Sequence, residues 1–229
     1  AESISFSQSG LPVNGDMKDN LIYKAWELIA EQRQLPPIQV HLHKNLPMGA
    51  GLGGGSADAA FFINQLNTLL TLGFSEQERM SLASQLGSDC AFFIRNTPVF
   101  ATEKGNVFTD LKISLASYYI LVVHPGVHSN TREAYEGLTP AVPAHHLPDV
   151  LREAPETWKH KLVNDFEPSI FRKYPAVKKL KEELYDLGAI YASMSGSGSA
   201  VFGIFKQEPA YKAQPGFQFY LQKPAANIL

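Results

Sequence analysis

The stretch "PMGAGLGGGSADAA", residues 47–60, holds five glycines between an alternating segment and an apolar one. Glycine lets backbone amides approach an anion closely, and it adopts positive φ without steric cost. A helix that follows such a loop carries about half a positive charge and several unpaired N–H groups at its start. Because glycine destabilises a chain wherever its freedom is unused, the stretch predicts a polyphosphate-binding loop rather than a plain connection.

The segments on either side of this loop predict a strand and a helix. "IQVHLH" alternates strictly, so that Ile38, Val40 and Leu42 face a core while His41 and His43 face away. After the loop, apolar residues recur at helical spacing. The expected buried stripe consists of Phe62, Ile63, Leu66, Leu69 and Leu70.

Two common nucleotide motifs fit the loop poorly. The string Gly49-x-Gly51-x-x-Gly54 matches the dinucleotide-binding fingerprint. The preceding strand alternates, however, whereas the central parallel strand of that fold is apolar on both faces. Where that fold ends its second strand with an acid, this chain has Glu76 and Glu78 at the start of a predicted helix. No Gly-Lys-Ser/Thr follows the loop, which excludes the Walker A motif.

Composition and charge indicate a globular protein and argue against several other classes. The 229 residues are 45% hydrophobic and 18% charged, which is typical of a globular chain with a core. A net charge of −2 without a dense Lys/Arg run argues against a general nucleic-acid binder. The single cysteine, Cys90, allows no disulfide within the chain and favours a reducing compartment. No apolar run is long enough to span a bilayer, so we expect a cytoplasmic protein without a membrane partner.

The remaining segments predict a mixed α/β chain in two parts. Helices are expected in "DNLIYKAWELIAEQ", after the capping box "SEQE", in "NTREAYEGL" and in "AVKKLKEELYDLG", the last with Val177, Leu180, Leu184 and Leu187 inward. A hairpin is expected around Gly105-Asn106, and the proline-rich "AVPAHHLPDV" is expected to be loop. We place the domain boundary after residue 113, with 117–124 and 189–205 as neighbouring strands of the second domain, 114–229.

Two glycine-rich segments together resemble the GHMP kinases, the superfamily of galactokinase, homoserine kinase, mevalonate kinase and phosphomevalonate kinase. "PMGAGLGGGSADAA" resembles the phosphate loop of these enzymes, and "SMSGSGSAVFGIF" resembles their C-terminal glycine-rich motif, in the same order. The resemblance implies a two-domain α/β (α+β) fold. Its N-terminal half would be like domain 2 of ribosomal protein S5, and its C-terminal half would be ferredoxin-like.

A finer resemblance is to the 4-diphosphocytidyl-2-C-methyl-D-erythritol kinase family. It rests on "DNLIYKAWELI", "KNLPMGAGLGGGSADAA", "LGSDCAFFI", "VVHPGV", "VNDFE" and "MSGSGSAVF", in that family's order. It implies phosphorylation of the 2-hydroxyl of that cytidine-diphospho sugar alcohol in non-mevalonate isoprenoid precursor synthesis, with ATP as co-substrate and Mg²⁺. The family pattern opens with a "KIN" strand and a "DGYH" stretch, and neither string occurs here. We therefore expect a family segment of about forty residues to be missing before Ala1.

The resemblance assigns the ATP site to the glycine loop and its neighbours. The implied residues are Asn20, Leu21, Lys44, Pro47, Gly49, Gly51, Gly53, Gly54, Gly55 and Ser56. For Lys44 the alternatives are a position near the adenine and an exposed strand end. For Asn20 they are an adenine contact and an N-cap of the first helix, which do not exclude each other.

Two aspartates are candidates for the chemistry. The residues alone leave Asp89 either as a helix cap or as a functional acid before the apolar run from Cys90 to Ile94. The resemblance makes Asp89 the general base. Asp58 is expected in the first turn of the loop's helix, where it suits the helix dipole or binds magnesium through a water. Cys90 and His124 are interpreted as buried structural residues.

The resemblance assigns the acceptor substrate to the C-terminal half. Thr131 and Tyr135 are four residues apart on one predicted helix face. Tyr135 would stack on the cytosine ring, or it would be a half-buried residue of an amphipathic helix. The second anion-binding loop would consist of Gly196, Ser197, Gly198 and Ser199.

Two other functions remain open on the sequence. One is another GHMP kinase, acting on homoserine or a mevalonate-type substrate. The other is a nucleotide-binding module without catalysis, because the lysine-bearing strand has no counterpart in this sequence.

Overall fold

The computed structural model describes residues 4–13 and 15–224 and confirms the mixed α/β class. The described residues divide into two compact units. The first unit contains the described residues as far as Met48 together with Gly53–Leu111, and the second contains Gly49–Leu52 and the described residues from Lys112 onward. The sequence carried no signal for the separate placement of residues 49–52.

The first unit combines two small sheets with four helices. Strands β1 (Ile4–Gly10) and β2 (Ile38–Lys44) pair in parallel, and β3 (Val99–Thr102) and β4 (Val107–Asp110) form the expected hairpin around Gly105-Asn106. The helices are α1 (Leu21–Ala30), α2 (Gly54–Leu69), α3 (Glu76–Leu86) and α4 (Ser88–Arg95). Their shared core contains Ala25, Ile29, Ala60, Ile63, Leu82 and Cys90.

Local signals in the sequence predicted the starts of α1 and α3 correctly. The Asn20 side chain accepts the Ile22 N–H at 2.9 Å, so the N-cap prediction is confirmed. The predicted capping box between Ser75 and Glu78 is present at the start of α3. These two contacts set the directions in which α1 and α3 leave their loops.

The predicted stripe on α2 is wrong at Leu69, which is 66% exposed. Ile63 and Leu66 are buried, and Leu70 remains half-buried just beyond the end of the helix. At 100° per residue, Leu70 stays on the face of Ile63 and Leu66, whereas Leu69 turns away from it. The two adjacent leucines are therefore not equivalent.

The second unit is built on one antiparallel sheet. Its strands β5 (Tyr119–His124), β6 (Tyr191–Met194), β7 (Val201–Phe205) and β8 (Gln218–Gln222) are arranged in the order β6-β7-β5-β8. Strands β5 and β7 are neighbours, as predicted. The helices are α5 (Thr131–Glu136), α6 (Leu147–Val150), α7 (Glu167–Lys173) and α8 (Pro175–Asp186).

Two predictions for the second unit need correction. Helix α6 lies within the proline-rich segment that was expected to be loop, and Pro148 occupies its first turn, where the missing N–H costs nothing. Leu187 follows the last residue of α8 and is 39% exposed, although Val177, Leu180 and Leu184 are buried as predicted. No helix in the described ranges is long and apolar enough to cross a membrane.

The contrast between Leu180 and Leu187 predicts a difference in stability. Leu180→Ala should lower the free energy of unfolding by about 2–5 kcal/mol, because it leaves a cavity in the buried core. Leu187→Ala removes the same atoms from a site that is 39% exposed and leaves no enclosed cavity, so it should lower the free energy of unfolding by only about 1 kcal/mol or less. Urea denaturation followed by circular dichroism measures both values. Equal losses would contradict the placement of these residues.

Candidate active site

Helix α2 begins without a capping side chain. Its N-cap is Gly53, in the left-handed region with φ 64°, and no side chain accepts a hydrogen bond from the first turn. The first helical bond runs from the Ala57 N–H to the Gly53 carbonyl at 2.9 Å. Helices α1, α3 and α5 have Asn20, Ser75 and Asn130 as caps, whereas α4, α6, α7 and α8, like α2, have no capping side chain. The first turn of α2 therefore presents amides that a negatively charged ligand can satisfy.

Three glycines of the loop are required by protein packing. A Cβ on Gly49 would lie 2.0 Å from the His128 ring, and a Cβ on Gly51 would lie 2.1 Å from the Ser195 carbonyl oxygen. Gly53 combines its positive φ with a Cβ position 2.9 Å from Phe93. At these positions the absence of a side chain serves the fold itself.

Gly55 has no such packing requirement. A Cβ there would meet only Met48 at 3.7 Å and Leu21 at 3.9 Å, which are ordinary contacts. Gly55 lies in the helix, where glycine is about 0.5–1 kcal/mol less favourable than alanine. The packing around Gly55 would therefore accept alanine. Gly54 lies between these two cases in how much space a side chain would have. A Cβ there would lie 3.2 Å from the Lys44 ammonium nitrogen, which is a tight contact but not a clash with backbone.

A pocket of about 300 Å³ in the first unit borders this turn. Asn20, Leu21 and Gly55, all predicted to bind ATP, line it together with Met48 and Asp58. A volume of this size is at the lower end of those that hold small ligands. The structure therefore brings the predicted adenine contacts together with the start of α2.

Lys44 is not among the residues that line this pocket, and it is not an exposed strand end either. Its side chain is only 3% exposed and forms an ion pair with Asp58, beside the first turn of α2. Asp58 is the fifth residue of α2, so the expectation that it lies in the first turn is wrong. The helix begins only after the left-handed turn at Gly53, later than expected. Asp58 compensates the charge of a buried lysine rather than the helix dipole.

Asp89 lies in the first turn of α4 and is exposed. The N-cap of α4 is Gly87, and no side chain caps this helix, so the cap interpretation of Asp89 is wrong. Its carboxylate accepts a hydrogen bond from the Ser88 hydroxyl at 3.5 Å, at the limit of such a bond. The Asp89 carboxylate is therefore accessible to a ligand.

The start of α4 lies against the start of α2 within the first unit. Phe93 lies 2.9 Å from the Cβ position of Gly53, and the Ser56 hydroxyl is close enough to Cys90 to act on the pKa of its thiol. Cys90 is fully buried, as predicted, and burial raises the pKa of its thiol. Asp89 precedes Cys90 in the chain, but it is not among the residues that line the pocket at the first turn of α2.

In the second unit, the two glycine-rich segments are hydrogen-bonded to each other. The Ser195 hydroxyl donates to the Gly51 carbonyl at 2.8 Å, and the Ala200 N–H donates to the Ala50 carbonyl at 3.0 Å. These bonds explain why residues 49–52 group with the C-terminal half of the chain. The first part of the glycine loop is thus positioned by residues almost 150 positions later in the chain.

The predicted substrate loop, residues 196–199, has side chains with different roles. The Thr131 and Ser197 hydroxyls are 3.2 Å apart, and both residues are open enough to meet a ligand. Ser199 is fully buried and its hydroxyl donates to the Val127 carbonyl, so this side chain serves the fold rather than a substrate. Gly196 and Gly198 adopt φ values of 53° and 85°.

Tyr135 is 61% exposed, so the half-buried alternative is wrong. Its ring makes an edge-on contact with Phe166, with ring centroids 4.9 Å apart. Phe166 was not among the predicted site residues, although it lies within the quoted "VNDFE" segment. His124 is buried at the end of β5, and burial lowers its pKa, in keeping with the structural role expected of it.

Comparison with known proteins shows the family to which the chain belongs. The model of the GHMP kinase N-terminal domain matches residues 20–97, and that of the GHMP kinase C-terminal domain matches residues 139–222. The chain is 46% identical over 212 residues to the 4-diphosphocytidyl-2-C-methyl-D-erythritol kinase of Parabacteroides distasonis, which covers 93% of this chain and 78% of that protein. The chain belongs to the 4-diphosphocytidyl-2-C-methyl-D-erythritol kinase family of GHMP kinases.

Solved structures of GHMP kinases share the fold. A crystal structure of 4-(cytidine 5'-diphospho)-2C-methyl-D-erythritol kinase matches with a TM-score of 0.72 and 29% identity, over 87% of this chain and 72% of that one. A homoserine kinase from Cytophaga hutchinsonii matches with a TM-score of 0.69 over 96% of this chain and 81% of that one. At 17% identity, the second match concerns the fold alone.

The different roles of Gly53 and Gly55 predict opposite responses to alanine. Gly53→Ala should lower the free energy of unfolding by about 1–2 kcal/mol, because alanine is strained in the left-handed region and contacts Phe93. Gly55→Ala should raise it by up to about 1 kcal/mol, because alanine favours the helix and fits the space. Thermal unfolding without ligand measures both. A larger loss for Gly55→Ala would contradict this division of roles.

Proposed function

We propose that this protein is an ATP-dependent kinase that phosphorylates the 2-hydroxyl of 4-diphosphocytidyl-2-C-methyl-D-erythritol, in the synthesis of isoprenoid precursors. The observation that carries the proposal is the uncapped start of α2, where Gly55 stays bare without a packing reason and borders the pocket. Membership of this kinase family supports the choice of acceptor. The reducing, cytoplasmic location expected from the single cysteine belongs to the same proposal.

The ATP phosphates would bind the backbone amides at the start of α2. Such a site suits a polyanion, because the helix dipole and the N–H groups act in the same direction. Asn20 and Leu21 line the pocket and would contact the adenine, as the resemblance implies. Lys44, buried beside Gly54, adds a positive charge behind this turn, which Asp58 partly offsets.

Mg²⁺ would enter with ATP and neutralise part of the phosphate charge. The described residues contain no cluster of three or more His, Cys, Asp or Glu side chains suited to a metal. Magnesium in kinases is commonly held by one or two carboxylates together with substrate phosphates and waters, so no such cluster is needed. Asp58, which lines the pocket and is partly exposed, is the carboxylate we assign to it, through a water.

Asp89 would accept the proton of the attacking hydroxyl. Phosphoryl transfer proceeds through a loose transition state, so catalysis depends mainly on positioning and charge neutralisation, and a carboxylate is a sufficient base. The exposed carboxylate at the start of α4 and the contact of that helix with Ser56 of α2 support this role.

The acceptor would be held by the second unit. Tyr135 presents an exposed aromatic ring, braced by Phe166, that suits stacking on a cytosine. The Thr131 and Ser197 hydroxyls offer a pair of polar groups to a phosphate or a sugar hydroxyl. Gly196 is exposed and would let an anion approach the backbone, whereas Gly198 is buried and its N–H donates to the Ser195 carbonyl at 2.9 Å.

Phosphoryl transfer to the acceptor tests the proposal directly. The protein, expressed from its complete gene, is incubated with ATP and Mg²⁺ and with either 4-diphosphocytidyl-2-C-methyl-D-erythritol, homoserine or mevalonate. We expect ³¹P NMR to show a new phosphomonoester with the first acceptor alone. Transfer to homoserine or mevalonate instead would point to another GHMP kinase activity. ATP binding without transfer to any acceptor would favour a nucleotide-binding module.

Removal of the base should affect turnover far more than binding. Asp89→Asn keeps the shape of the side chain but cannot take up the proton, so kcat should fall by about 10²- to 10⁴-fold. ATP affinity measured by calorimetry should change little, because the amides of α2 are untouched. Asp110→Asn is the matched control, since Asp110 is an exposed carboxylate of the same unit paired with Arg95. Equal turnover in the two variants would exclude Asp89 as the base.

Asp58→Asn should lower stability, in addition to weakening the water-mediated Mg²⁺ contact assigned above. It leaves the Lys44 ammonium buried without its partner, and the free energy of unfolding should fall by on the order of 3 kcal/mol. This loss is larger than a helix-dipole role would produce. Urea denaturation of the variants at Asp58 and Asp89 separates the two aspartates, and a larger stability loss for Asp89→Asn would contradict their assignment.

A further inference from the structure

Asn164 makes an unusual number of hydrogen bonds to backbone next to the second glycine loop. Its Nδ2 atom donates to the Met194 carbonyl and to the Gly196 carbonyl, both at 2.8 Å. Its Oδ1 atom accepts the Phe166 N–H at 3.0 Å. Both amide hydrogens and one acceptor position are thus used, which leaves this side chain little freedom. The side chain connects the "VNDFE" segment with the exit of β6.

Glu167, in the same segment, also forms a hydrogen bond with Met194 at the end of β6. Its carboxylate accepts the Met194 N–H at 3.0 Å and pairs with Lys181 at 2.6 Å. Glu167 is buried, and the ion pair with Lys181 and the bond from Met194 compensate its charge. Both backbone groups of Met194 are therefore held by side chains of residues 163–167, at the point where β6 ends and the loop begins.

The loop itself needs such external support. Gly196 and Gly198 both adopt positive φ, and glycine loses more conformational freedom on ordering than any other residue. The Ser197 carbonyl accepts a hydrogen bond from Ser129 at 2.7 Å, and the Gly196 carbonyl accepts one from Asn164. Among the described residues, Asn164 is the side chain whose hydrogen bonds span both the strand end and the first glycine of the loop.

We propose that Asn164 is a positioning residue for the phosphoryl transfer. It fixes the loop 196–199, so that the loop backbone and the Ser197 hydroxyl keep the arrangement that a bound anion requires. Asn164 acts through this loop and is not assigned a contact with substrate. The kinetic part of this inference rests on the proposed kinase function, whereas the effect on loop order does not.

Asn164→Asp is the most informative variant. Aspartate has nearly the same shape and still accepts the Phe166 N–H, but its second oxygen replaces the two donated hydrogen bonds and faces two carbonyl oxygens. Asn164→Ala removes the same donors without adding a charge, and it serves as the second variant if the aspartate prevents folding. The matched control is Asn67→Asp, because Asn67 likewise donates to one backbone carbonyl, at Phe74, and accepts the N–H of the same residue.

Hydrogen exchange reports on the loop independently of activity. In Asn164→Asp, the peptide covering residues 193–200 should exchange about tenfold faster or more than in the unaltered protein, because the local opening free energy falls. In Asn67→Asp this peptide should exchange as in the unaltered protein. Unchanged exchange of the peptide in both variants at Asn164, with the protein folded by circular dichroism, would overturn the inference.

Kinetics separate positioning from a purely structural role. At a temperature where both variants are folded, kcat/KM for the cytidine-diphospho acceptor should fall about 10- to 100-fold in Asn164→Asp, as expected when a binding loop is misplaced. ATP affinity and the kinetics of Asn67→Asp should stay close to those of the unaltered protein. A loss of stability with normal kcat/KM would overturn the positioning role. If the unaltered protein transfers no phosphoryl group, the proposed function fails, and faster exchange would then support only the ordering of the loop by Asn164.

Discussion

The start of α2 depends on a left-handed turn at Gly53 that leaves the first turn of the helix without a capping side chain. A typical capping side chain stabilises a helix by about 1 kcal/mol, and α2 lacks this contribution. Its buried face, with Ala60 and Ile63 fully enclosed, compensates for the missing cap by packing. The uncapped first turn of α2 is thus maintained by the hydrophobic core of the first unit.

The glycine loop serves two physical purposes along its length. Its first part, with Gly49 and Gly51, has bare Cα atoms because other parts of the second unit occupy the space of a side chain. Its later part, with Gly54 and Gly55, starts a helix and borders the pocket. The glycines at one end of the loop therefore meet packing constraints, and those at the other end leave room for a ligand. These two requirements together explain the number of glycines better than phosphate binding alone.

The sequence predicted those features that depend on short-range patterns. The Asn20 cap, the Ser75 capping box and the exposure of His41 and His43 follow from neighbours a few residues away, and the structure has all of them. The family followed from two motifs in order, and the comparisons confirm it. The roles of most site residues remain predictions, although the structure gathers Asn20, Leu21 and Gly55 around one pocket. The Lys44–Asp58 pair, the bond from Ser195 to Gly51 and the contacts of Asn164 join residues distant in the chain, which no local pattern indicates.

We expect the first turn of α2 to bind the phosphates of ATP. Amide chemical shifts of Gly54, Gly55 and Ser56 in ¹⁵N-labelled protein test it most directly, with ATP and adenosine as ligands at matched concentrations. Because adenosine has the base and ribose but no phosphate, the account predicts large, saturable shifts of these three signals with ATP and small ones with adenosine. Equal shifts with both ligands, or signals that ATP leaves unmoved while it shifts other residues, would contradict the account.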